Sequence, residues 1–75
     1  MNIHHLVNMA NDISAFFDSE LGAKDAPQGI ATHISRYWDP RMRIQIIQHA
    51  ASGGEGLKPS ALAAVRTLPE PPVRT

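Results

Sequence analysis

Between Ile3 and Leu21 the apolar residues fall at Ile3, Leu6, Val7, Ala10, Ile13, Phe17 and Leu21, in steps of three and four that place them on one helical face. Met9 and Phe16 widen this stripe. Asn2 stands where an N-cap is needed, and Gly22 offers at the other end the φ freedom that a helix C-terminus uses. A short polar loop, Ala23-Lys24-Asp25-Ala26, precedes a second helix that Pro27 opens, with Asp25 and Gln28 at the spacing of a capping box. Ile30, Ile34, Tyr37 and Trp38 recur at helical spacing and are expected to form its buried stripe.

Pro40 disfavours helical geometry at Asp39, so the second helix stops near Trp38. Asp39 is a good N-cap and Pro40 a good first residue, so a third helix starts at once and the chain turns a tight corner. Met42, Ile46, Ile47 and Ala50 line one side of that helix, with Ile44 and Ala51 beside them, and Arg41, Arg43, Gln45 and Gln48 supply polar surface. Ser52-Gly53-Gly54-Glu55-Gly56 is too rich in glycine to be anything but loop. A short fourth helix follows from Leu57-Lys58-Pro59-Ser60, with Leu62, Val65 and Leu68 spaced by three. Strand alternation is absent. The expected fold is all-α: a small bundle of three helices plus a short fourth over residues 1–68, then an extended proline-rich tail over 69–75.

Size changes what such a bundle needs. At 75 residues the folded chain buries only about 60% of the surface its unfolded form exposes, so one core leaves stability marginal. Disulfides cannot help, because there is no cysteine. The same absence excludes iron–sulfur clusters and thiolate zinc sites built from this chain alone. Stabilisation by a partner subunit is the remaining inexpensive route. The N-terminal residues do not resemble a signal peptide, and no run approaches the ~20 apolar residues of a membrane span. A soluble cytoplasmic protein is expected.

Formal net charge is zero, which argues against a dedicated nucleic-acid binder, since neutralising phosphates takes a basic excess. The charges are unevenly placed. Residues 1–25 hold Asp12, Asp18, Glu20 and Asp25 against Lys24, and the rest of the chain is mainly basic. Two solvated faces of opposite sign are the simple account; pairing within the chain or with another is the alternative.

Candidate chemistry is thin. The glycines at 53, 54 and 56 follow no strand and precede no Lys-Ser/Thr, so they read as an inter-helix loop and not a phosphate cradle. His4 and His5 are adjacent and diverge by about 100° on a helix, and His33 and His49 lie at no ligand spacing to another histidine. Among the four, His33 stands out because it lies one turn before Tyr37. Asp12, Asp18 and Glu20 read as a solvated helix face, with nothing beside them in sequence to make a general acid. No serine or threonine stands in a nucleophile setting. No catalytic, cofactor-binding or metal-binding residue is therefore assigned.

One segment does carry a signal. Arg36-Tyr37-Trp38-Asp39-Pro40-Arg41-Met42-Arg43 contains the only Trp, the only Tyr and three of the seven basic residues. Trp, Tyr and Arg dominate binding energy at interfaces. Trp38 is expected to anchor the core at the corner, with the arginines available to a partner. Together with the glycine loop this sets the candidate partner interface as Arg36, Tyr37, Trp38, Asp39, Pro40, Arg41, Arg43, Gly54 and Leu57. A small helical nucleic-acid-binding module using Arg36, Arg41, Arg43 and Lys58, or another protein-interaction module, is the alternative reading.

Several segments together resemble the small delta subunit of cytoplasmic, NAD-dependent, molybdenum-containing formate dehydrogenases. They are Leu6-Val7-Asn8-Met9-Ala10-Asn11-Asp12-Ile13 with Phe16-Phe17, Ala31-Thr32-His33-Ile34 leading to Tyr37–Arg43, and Gly53-Gly54-Glu55-Gly56-Leu57 with Pro59. The resemblance covers roughly residues 5–68. It implies a non-catalytic accessory subunit supporting assembly, cofactor insertion or stability of a complex that interconverts formate and carbon dioxide with NAD. In that family the large catalytic (alpha) subunit carries molybdenum with its bis-pterin guanine dinucleotide cofactor. Iron–sulfur clusters, FMN and the NAD site belong to the associated subunits. None of these groups would be bound by this chain, and its partners would be those subunits, with no nucleic acid and no membrane.

Overall fold

A computed structural model describes residues 2–69. The chain forms α1 (Ile3–Tyr37), α2 (Pro40–Ala51) and α3 (Pro59–Arg66), with no strand among the described residues. The all-α class is as expected. Beyond Pro69, the tail expected over 69–75 lies outside the described residues.

The first two expected helices are joined without a loop. Ala23–Ala26 is helical, and the whole change of direction falls on Gly22, at φ 79° and ψ 162°. That conformation is essentially restricted to glycine. A straight helix of 35 residues would be about 52 Å long, yet the longest dimension of the molecule is 39 Å. α1 is in fact a hairpin of two arms. The ring centroids of Phe17 and His33, one on each arm, lie 6.3 Å apart, whereas sixteen residues of continuous helix would separate them by about 24 Å along the axis. A Cβ at Gly29 would sit 2.6 Å from Cδ1 of Phe17, so the missing side chain is what lets the arms approach. Gly22 has open space around it, and its substitution tests the backbone alone. Gly22→Ala is expected to lower the unfolding free energy by about 1–3 kcal/mol, measured as a fall in the urea midpoint with an unchanged m-value.

The remaining boundaries follow local chemistry. Asn2 Oδ1 accepts the His4 amide at 2.8 Å, capping α1. Asp39 Oδ1 accepts the Arg41 amide at 2.7 Å, and Pro40 opens α2, as the Asp-Pro step predicts. α2 closes with the Gly54 amide donating to the His49 carbonyl at 2.9 Å, while Gly53 and Gly54 both have positive φ.

The core gathers Leu6, Val7 and Ala10 from the first arm, Ala26, Ile30 and Ile34 from the second, Trp38 at the corner, Ile46 and Ala50 from α2, and Ala61, Ala64 and Val65 from α3. Two expectations about burial are corrected. Phe16, Leu21 and Tyr37, placed in buried stripes by periodicity, are 60%, 47% and 71% exposed. α3 presents Ala61 and Ala64 to the core ahead of Leu62, which is half-buried against Gly54. Small side chains there allow a short helix to lie close to α1. Ser14 and Ser60, with no place in any apolar stripe, are buried.

Candidate functional site

At the corner between α1 and α2 neighbouring residues divide into two sets. Trp38 is 4% exposed and caps α1, its amide donating to the Ile34 carbonyl at 3.0 Å. Arg36, Tyr37, Asp39, Pro40 and Arg41 are exposed. Arg43 is half-buried, and its Nη1 donates to the Trp38 carbonyl at 2.8 Å and the Ser35 carbonyl at 3.2 Å. A cation on the last carbonyls of a helix satisfies acceptors that have no intrahelical partner and complements the macrodipole.

The two arginines of α2's first turns therefore differ, although the sequence offers them as one basic edge. Arg43→Ala is expected to destabilise the isolated chain by about 1–3 kcal/mol, while Arg41→Ala stays within about 0.5 kcal/mol. Paired urea titrations followed by circular dichroism measure both, and equal losses would erase the distinction.

The glycine loop is held from two sides by its own chain. Asn11 on α1 donates from Nδ2 to the Gly56 carbonyl at 2.8 Å and accepts the Lys58 amide on Oδ1 at 2.8 Å. His49 on α2 donates from Nε2 to the Glu55 carbonyl at 2.7 Å, which fixes the proton on that nitrogen. Gly54 is buried, and a Cβ there would meet Leu62 Cδ1 at 2.5 Å. Leu57 is half-buried against the core. Of the residues expected to meet a partner, Trp38 and Gly54 thus lie beneath the surface, and Arg43 is engaged within the chain.

Two turns beyond Asn11 on the same side of α1, Asp18 accepts the Ser60 hydroxyl on Oδ1 at 2.6 Å and the Ser14 hydroxyl on Oδ2 at 3.4 Å. Ser60 lies in the first turn of α3, so this carboxylate positions that helix. It is not simply part of a solvated face. Asn11, Ser14 and Asp18 recur in steps of three and four beside the apolar stripe. That second, polar stripe was the available sign of an edge bonded to another element.

The surface that periodicity missed is aromatic. Phe16 and Phe17 stack edge to face at 5.2 Å, Phe17 faces His33 at 6.3 Å, and His33 lies against Tyr37 at 4.9 Å. This ladder crosses from one arm of α1 to the other. Beside it lies a trough of about 390 Å³ bounded by Phe17 and Leu21 on the first arm and by Gly29, Thr32, His33 and Tyr37 on the second, with Asp25 and Arg36 also at its edge. Exposed aromatic and aliphatic side chains gathered with an arginine are the composition of a protein-binding surface. Among the described residues no group of three or more His, Cys, Asp or Glu side chains is arranged to hold a metal. Nor is any helix there long and apolar enough to cross a membrane.

The chain is thus a small all-α protein whose helical hairpin carries a run of aromatic contacts on one flank. More particularly, the chain belongs to the NADH-dependent formate dehydrogenase delta subunit family, FdsD, whose family model matches residues 5–65. No curated relative and no solved structure matches it.

Proposed function

We propose that this chain is a non-catalytic accessory subunit that docks on the large catalytic subunit of an NAD-dependent formate dehydrogenase and supports its assembly, cofactor insertion or stability. Family membership over residues 5–65 is the observation that carries this reading. The ladder from Phe16 to Tyr37, exposed at both ends and half-buried at Phe17 and His33, supports it, because a chain this small gains stability by covering such a face on a partner. Arg36 and Arg41, exposed at the adjoining corner, would steer that encounter. The molybdenum cofactor, iron–sulfur clusters, FMN and NAD would remain on the other subunits, in the cytoplasm.

Deletion of the chain from its host tests the reading. Formate-dependent NAD reduction and molybdenum content per large subunit are both expected to fall, and re-expression restores them. Unchanged activity with unchanged molybdenum content would refute an accessory role.

A further inference from the structure

The trough on α1 has the form of a seat for a helix. Its stripe on the second arm runs from Asp25 to Tyr37, thirteen residues whose ends lie about 18 Å apart along the helix. Phe17 and Leu21 on the first arm form the other wall. A channel between two antiparallel helices is where a third packs its apolar ridge. The chain already fills another side of the same hairpin in this way: α3 is tied to the first arm through Ser60 and Asp18, and Leu68 beyond its end shares a hollow with Ala31 and Ser35 of the second. The flank carrying Gly29 closes against Phe17 and Leu21 of the first arm, and the trough above that contact has no third helix over it among the described residues.

We infer that this trough receives one amphipathic helix of a larger formate dehydrogenase subunit. Its apolar residues, at i, i+3, i+4 and i+7, would lie against Phe17, Leu21 and Tyr37. Asp25 at one end and Arg36 at the other select its polar residues: a basic side chain beside Asp25 and an acidic one beside Arg36. A second copy of this chain fits less well. About 18 Å of length and one helix diameter of about 10 Å give a footprint of roughly 200 Å², against the roughly 800 Å² per partner of a stable complex. A larger subunit makes up the area by continuing over the exposed corner at Asp39, Pro40 and Arg41, which adjoins the trough through Arg36 and Tyr37.

This seat rests on the chain being a subunit, as proposed above, and a photocrosslinker separates the two claims. Thr32→p-benzoylphenylalanine, exposed beside the trough, is co-expressed with the formate dehydrogenase subunits, irradiated in the purified complex and mapped by mass spectrometry. Crosslinks confined to one amphipathic helix of a larger subunit are expected. Crosslinks to a second copy, to a non-helical segment, or none in a complex that still co-purifies would overturn the seat alone. Failure of the unsubstituted chain to co-purify would remove the subunit reading and the seat together. Tyr37→Ala is expected to weaken association about tenfold, and Arg36→Glu severalfold with a reduced dependence on salt, both with unchanged thermal unfolding of the free chain. Wild-type affinity in both would exclude this face.

Discussion

Trp38→Ala is expected to lower the unfolding free energy by about 3–5 kcal/mol. A chain of 75 residues holds only about 4–11 kcal/mol in all, so the variant should sit near or past its folding threshold at room temperature. The indole is the one large aromatic group enclosed in the core, 4% exposed among Ile34, Ile46 and their neighbours. It also occupies the junction where α1 ends, so its removal leaves a cavity that the packed helices around it cannot readily close. Tyr37→Ala supplies the contrast from the adjacent position. Its ring is 71% exposed, and the expected change in stability is within about 0.5 kcal/mol. Urea titrations of the two variants, followed by far-UV circular dichroism, measure the difference. Comparable losses would place both rings in the core and remove Tyr37 from the proposed binding face.

Asn11→Leu should have the next largest effect, about 2–4 kcal/mol, because two backbone groups lose their partner at once. The side-chain amide of Asn11 pairs with both the Gly56 carbonyl and the Lys58 amide, linking positions 45 and 47 residues distant along the chain. Leucine fills a similar volume and can satisfy neither group. The consequence should be local before it is global: the segment from Gly53 to Lys58 loses one of its two anchors, with His49 retaining the other at Glu55. Amide hydrogen exchange is the appropriate measurement, with protection lost first at Lys58 and in the first turn of α3. Uniform loss across α1 and α2 would show that the loop is not a separate unit.

The two variants locate the boundary between local and long-range information. The Asp39-Pro40 corner, the Asn2 cap, the glycine ending of α2 and the interruption at Gly22 all follow from residues a few positions apart, and each was legible from spacing alone. So was the buried role of Trp38, since a chain poor in aromatics keeps its largest ring inside. What Gly22 does was not legible. A positive-φ glycine followed by a loop and one that folds a helix back on itself look alike in sequence. Only the contact of Phe17 with Gly29 distinguishes them, and it joins residues brought together by the fold.

The candidate site divides along the same line. Trp, Tyr and Arg around one Asp-Pro step marked this corner as an interaction region by residue type. Residue type could not say that Arg43 turns back to cap α1 while Arg41 stays free, nor that Tyr37 faces outward beside a buried Trp38. Helical periodicity assigns Phe16, Leu21 and Tyr37 to an apolar face, but whether that face is covered depends on which elements reach it. α3 is only eight residues long and covers only part of the hairpin.

By itself the sequence determined the all-α class, the caps and breaks of its helices, the want of cysteine chemistry and the resemblance that family membership bears out. Tertiary structure alone decided that one helix is a hairpin, that Asn11, Asp18 and His49 serve as internal polar links, and that an aromatic flank remains exposed. The physical reason is range. Capping and helix termination act over a few residues through local backbone geometry, whereas burial is settled by what arrives from elsewhere in the chain, or from a partner.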